Sequence, residues 1–203
     1  MMYWFTFMPI FLNYQTLSST QDRAKNLVKS SEILITTGSK DSDMAIIMAS
    51  EQTSGRGSYG KSWASPAGAG IYVSFVYNLG PVNTYTDNQA LTLKVAELIT
   101  QALKSEFQND GFYVKPINDI YFDGSKLAGI LVENFSHEQN FYLVVGLGLN
   151  VLKSQYLVKE ALPGAPKASP IALEEIIGEG IRGWQREDFV KTLGVLLAKQ
   201  SGL

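Results

Sequence analysis

The pair Asp123-Gly124 stands between two runs of apolar and β-branched residues and constrains the fold more than any other dipeptide in the chain. A type I′ turn needs positive φ at both central residues, and its backbone matches the twist of two antiparallel strands. Phe112 to Phe135 is therefore expected to form a hairpin in which Phe122 faces Ser125, Tyr121 faces Lys126 and Asp119 faces Ala128. Alternation puts Asp119 and Lys126 on one face as diagonal neighbours, roughly 7–8 Å apart. Ala128, Ile130 and Val132 are expected to follow Lys126 on that face. Lys115 joins it only if the strand stays regular through Pro116, which cannot donate to a ladder.

Strand and helix signals surround this hairpin without a regular βαβ alternation. Ser18-Ser19-Thr20 leads into a helix over Gln21–Lys29, with Ser19 and Asp22 spaced like a capping box. Strands are expected at Ile33–Thr37, Met44–Ser50, Ile71–Tyr77 and Leu143–Val151, and a polar turn joins the first two. Asp87–Phe107 carries Leu91, Val95, Leu98 and Ala102 at the helical period. Gly55 to Gly70 reads as loop and Leu152 to Ala168 as irregular. Ser169, Pro170 and Gly178 suggest the cap, first turn and end of a short helix. Asp188–Gln200 is a last helix. The pattern is α+β with a largely antiparallel sheet.

The 203 residues are too few for two full-sized domains, and 45% hydrophobic residues suffice for one core. Seventeen Lys and Arg against 19 Asp and Glu leave a net charge of -2, which argues against a nucleic-acid partner. No cysteine is present, so disulfides, thiolate metal sites and a cysteine nucleophile are excluded. His137 is the one histidine; it sits in a polar stretch, where a solvated turn is expected. Met1 to Tyr14 is apolar but has no leading cation and no cleavage site, and it is shorter than a membrane span. It is expected to be a buried first strand of a cytoplasmic protein.

Three segments could carry chemistry. Gln52 to Trp63 holds Gly55, Gly57 and Gly60 with Arg56 and Lys61. Such a loop is either an anion-binding nest or a solvated hairpin loop. Lys126 begins an apolar face, as a rim residue or as a cation held for an anionic ligand. Gly146, Gly148 and Asn150 alternate onto one strand face; the missing side chains make a shelf for a ring or allow close backbone packing. The third glycine of a dinucleotide fingerprint is absent. Ser19 and Thr20 read first as helix-capping residues, and Trp63 and Trp184 as core or rim aromatics.

The order of these segments resembles the biotin protein ligase family. The residues that carry it are Ser19-Thr20, Gln52-x-x-Gly55-Arg56-Gly57-x-x-Gly60-Lys61-x-Trp63-x-Ser65-Pro66, Asn118-Asp119, Lys126-Leu127-Ala128-Gly129-Ile130-Leu131 and Gly146-x-Gly148-x-Asn150. The resemblance implies a mixed sheet flanked by helices, related to class II aminoacyl-tRNA synthetases. It also implies two reactions: biotin and MgATP give biotinyl-AMP, and a lysine of a biotin carboxyl carrier protein then takes the biotinyl group. By position, Ser19, Thr20, Gln52, Gly55, Arg56, Lys126 and Gly129 would line the biotin site. Arg56, Gly57, Ser58, Lys61, Trp63, Asn118, Lys126 and Asn150 would face ATP or the adenylate. Lys126, Arg56 and Asp119 would carry the catalysis, with Asp119 orienting Lys126, serving Mg²⁺ or accepting a proton.

Several positions depart from the family pattern. Ser58 stands where a basic residue is usual, Lys61 replaces an arginine, and Lys115-Pro116-Ile117-Asn118-Asp119 lacks the usual tryptophan. One catalytic domain over residues 1–203 is expected, without a preceding DNA-binding module or the small C-terminal β-domain. A homodimer through an exposed sheet edge is an open alternative, and no membrane partner is expected. Two other activities compete with the ligase: a module that holds biotin or its adenylate without transfer, and lipoate or octanoate transfer on the same fold.

Overall fold

A computed structural model describes residues 9–35, 44–81, 88–154 and 169–200. Seven strands form one sheet: β1 (Ile10–Leu17), β2 (Met44–Gln52), β3 (Gly70–Gly80), β4 (Phe112–Lys115), β5 (Asp119–Phe122), β6 (Ser125–His137) and β7 (Asn140–Asn150). Their order is β1-β2-β3-β7-β6-β5-β4. Every pair is antiparallel except β1 with β2. The helices are α1 (Thr20–Lys29), α2 (Asn88–Phe107), α3 (Leu173–Ile177) and α4 (Arg186–Gln200).

Strand alternation divides the sheet into two faces. Ile71, Val73, Phe75, Leu143, Val145, Leu147 and Leu149 point to one side, where α2 and α4 complete the larger core. Ala45, Ile47, Val76 and Val144 point to the other and meet Ala24, Leu27 and Val28 of α1. The second face is only half covered by a helix. Its remainder, over the middle of β3, β7 and β6, carries the small and polar residues Ser74, Gly146, Gly148 and Gly129.

Asp123 and Gly124 adopt φ 45° and 75°, as a type I′ turn requires. Phe122–Ser125 and Tyr121–Lys126 pair as expected, but Asp119 faces Gly129 rather than Ala128. A bulge at Leu127 inserts one residue, so Leu127 and Ala128 both reach the larger core. The phase of β6 therefore reverses, and Lys126 shares its face with Gly129, not with Ala128 and Ile130. Phe112 to Phe135 is three strands instead of one hairpin, and Lys115 reaches the Asp119 face from β4, paired with Asp119.

Other boundaries differ for local reasons. β1 runs through Asn13 and Gln15 to Leu17 with no fully buried residue, as suits an edge strand; Met1–Met8 lie outside the described residues. Ile33 and Ile35 are buried without forming a strand, and Thr36 and Thr37 are not described. α3 starts after Ala172 instead of Ser169, because Ser169–Ile171 runs alongside Lys126: Lys126 N donates to Ser169 O and Ile171 N to Lys126 O. His137 ends β6 with its Nε2 buried, where a solvated turn was expected. Among the described residues no helix is long and apolar enough to cross a membrane.

Candidate active site

The half-covered face is floored by backbone. Gly129 and Gly148 lie directly opposite each other on β6 and β7. A Cβ on Gly129 would stand 2.8 Å from Trp63 Cζ3, and one on Gly148 would overlap the indole as well. The expected shelf thus exists, but it carries the indole of Trp63; Gly146 beside it is covered by Gln21. Asn150 ends the row. It is buried, and its Nδ2 donates to Ile171 O at 3.1 Å and Lys126 O at 3.5 Å, fixing the segment beside Lys126.

Lys126 rises above this floor. Its Nζ lies 2.7 Å from Asp119 Oδ1 and 5.3 Å from the centre of the Trp63 ring. The diagonal relationship of Asp119 and Lys126 holds across the bulge and closes into an ion pair. Asn118, just before Asp119, donates from Nδ2 to Ser58 Oγ at 2.9 Å and ties β5 to the glycine-rich loop. Ser58 thereby holds the loop where a basic residue is usual.

The glycine-rich loop folds back on itself through bridges Gln52–Ser65 and Arg56–Ser62, with Trp63 N donating to Gly55 O at 2.8 Å. Its tip, Ser58–Gly60, is a 3₁₀ turn in which Tyr59 takes φ 58° and is 82% exposed. Gly55 is required there, since a Cβ would meet Ser65 Oγ at 2.8 Å. Gly57 N donates to Lys61 O, and the Lys61 side chain is exposed.

Ser19 is the N-cap of α1 and accepts from Asp22 N. Only half of the capping box forms, because the Asp22 carboxylate turns to Arg56, with Oδ1 2.6 Å from Nη1. Arg56 also grips Glu133, at 2.8 and 3.2 Å, and Lys25 Nζ adds a 2.8 Å contact to the same carboxylate. Burial alone would raise the Glu133 carboxyl, but Lys25, Gln21 and Arg56 outweigh it and hold it below the ordinary range. Burial depresses the Arg56 guanidinium less than Glu133 and Asp22 raise it. The arginine expected to hold a ligand anion is therefore already paired with two carboxylates.

Beneath the loop lies a buried polar cluster. Gln52 Oε1 accepts from Thr20 N at 2.8 Å and Thr20 Oγ1 at 3.1 Å, while its Nε2 donates to Ser65 Oγ at 2.8 Å. Ser74 Oγ lies 2.9 Å from both Thr20 Oγ1 and Gln21 Oε1. The sequence reading gives Asp22 only a capping role and does not single out Gln21, Ser74 or Glu133. A serine inside the apolar run Ile71–Tyr77 and a glutamate closing Lys126–Val132 were the available signals. Among the described residues no group of three or more acidic or histidine side chains could hold a metal ion.

Residues 15–150 match the biotin/lipoate A/B protein ligase family over the elements that build this face. The chain belongs to that family. Among the ligases of known structure, the biotin protein ligase from Aquifex aeolicus in complex with biotin and ATP is 28% identical. It superposes with a TM-score of 0.63, over 94% of this chain and 68% of that one. The biotin protein ligase from Leishmania major in complex with biotinyl-5-AMP, 18% identical, shares the fold with a TM-score of 0.68 over 95% of this chain and 75% of its own. The bifunctional ligase/repressor BirA of Bacillus spizizenii is 29% identical over 84% of this chain. The chain spans 48% of that relative's length.

Proposed function

We propose that this chain activates biotin with MgATP and passes the biotinyl group to a lysine of a carrier protein. The observation that carries the reading is the Lys126 ammonium, raised over the glycine floor between Asp119 and Trp63, with the polar Thr20–Gln52–Ser74–Gln21 cluster on the same face of the sheet. Biotin's head group is a polar ureido ring, which suits a slot lined by amides and hydroxyls. Lipoate's apolar dithiolane ring offers such groups no donor or acceptor with which to extend their hydrogen bonds.

In the first step a biotin carboxylate oxygen attacks the α-phosphorus of ATP and pyrophosphate leaves. Two anions must approach, so a fixed cation between them lowers the barrier. Lys126 supplies it, and Asp119 orients the ammonium. Arg56 turns from Glu133 and Asp22 toward the incoming anion. In the second step the carrier amine attacks the mixed-anhydride carbonyl, an amide forms, AMP departs and the amine loses a proton. The need for ATP and a carrier protein puts the reaction in the cytoplasm in this reading.

A transfer assay with biotin, MgATP and a carrier domain tests it. The intact chain should label the carrier and Lys126→Ala should not. Tight biotin binding with no labelled carrier would favour a holding module, and calorimetric binding of lipoate rather than biotin would overturn the substrate assignment.

A further inference from the structure

We infer that Trp63 is a positioning residue for Lys126, its indole face holding the ammonium above the sheet without cancelling its charge. The inference rests on the reading of Lys126 given above and adds to it the device that aims the side chain. A lysine has a long flexible stem, and its rotamers must be restricted before the ammonium can act at one point. Asp119 restricts it at 2.7 Å but also neutralises it. The Trp63 ring, 5.3 Å away, attracts the cation through its negative face and carries no formal charge. The ring therefore adds restraint without subtracting further from the positive potential that the Asp119 pair leaves for an arriving carboxylate or phosphate.

Two further observations favour this use of the ring. Gly129 and Gly148 face each other under the indole, and a Cβ on either would collide with it. The pair recesses Trp63 by a side chain's thickness, which leaves room above the ring for the Lys126 stem. The indole Nε1 is buried with no hydrogen-bond partner among the described residues. A buried tryptophan ordinarily finds an acceptor for that N–H. Among the described residues no hydrogen bond to the indole edge competes with the use of its face. Trp63 N bonded to Gly55 O couples this support to the glycine-rich loop.

The first test does not depend on activity. In the full chain labelled with ¹³C-lysine, the ε-CH₂ protons of Lys126, assigned through Lys126→Arg, should resonate upfield of the other lysines because of the indole ring current. The second follows biotinyl-AMP formation in Trp63→Phe and Trp63→Leu, both checked for native circular dichroism. Leu should lower kcat on the order of tenfold with KM for biotin nearly unchanged, and Phe should recover most of the loss. An ordinary Lys126 shift in the wild-type chain overturns the inference whatever the activity, as does a Phe variant no better than Leu. An upfield shift in a chain that forms no adenylate supports the restraint of Lys126 and overturns the functional reading instead.

Discussion

Arg56 and Glu133 meet through two hydrogen bonds, Nη2 to Oε1 at 2.8 Å and Nη1 to Oε2 at 3.2 Å. The contact joins the glycine-rich loop to β6, and Asp22 brings the first turn of α1 to the same guanidinium. An arginine on the glycine-rich loop is thus held over the sheet by two carboxylates. An anion that bound this guanidinium would have to compete with them.

The pH dependence of stability follows from this pair. The folded Glu133 carboxyl titrates below its unfolded value of about 4.3, so its contribution is complete above that value and is lost as pH falls through the folded one. Glu133→Gln should cost about 1 kcal/mol at neutral pH, a modest figure because Arg56 is partly exposed and screened. Urea denaturation of both chains should show the gap closing below about pH 4. A gap that persists in acid would mean the loss is one of packing.

Ligand affinity should move the other way. With Glu133 neutral, Arg56 keeps only Asp22 as a carboxylate partner and is freer for an incoming carboxylate. Calorimetry should then find biotin bound roughly two- to tenfold more tightly by Glu133→Gln. Weaker binding would assign the Arg56–Glu133 pair to holding the loop in its binding shape.

Gly148→Ala should disturb the indole before anything else, since the added methyl collides with Trp63 on a floor that cannot yield. Overpacking of this kind costs about 1–3 kcal/mol, and thermal unfolding should record it. Tryptophan fluorescence should change with it, because Trp63 must leave its seat. An unaltered melting temperature would contradict the described packing.

Gln52→Ala removes the acceptor for Thr20 N and Thr20 Oγ1 and the donor to Ser65. Thr20 is only 4% exposed, so its N–H left without an acceptor should cost about 1–3 kcal/mol, while Ser65 Oγ keeps Trp63 O and Thr20 Oγ1 keeps Ser74 Oγ. Gln52→Glu keeps the acceptor for Thr20 and should retain more stability than the alanine variant in the same denaturation experiment. Equal losses would count against the hydrogen-bond account.

Ser58→Arg tests the departure at the loop tip. A charge-assisted bond to the phosphate region is worth about 1.5–3 kcal/mol, so release of biotinyl-AMP into solution should slow about tenfold or more. Asn118 loses its bond to Ser58 Oγ in this variant, and Ser58→Ala controls for that loss. Adenylate released equally fast by Ser58→Arg and the native chain would show that this position does not hold it.

Local chemistry made much of the molecule readable in advance. The Asp123-Gly124 turn, the long helix α2 and the apolar strands β2, β3 and β7 follow from φ preference and periodicity, which act between neighbours in the chain. The order of the motifs likewise pointed to the family and to Lys126 and Asp119. Tertiary structure alone decided which way β6 faces, because one bulged residue at Leu127 reverses every side chain before it relative to those after it. It also decided that the glycine shelf carries Trp63 and that Arg56 pairs with Asp22 and Glu133. Those contacts join residues that lie 34 to 85 positions apart, as in Arg56 with Asp22 and Trp63 with Gly148, and no local preference encodes which distant partner a long side chain will find once the sheet is assembled.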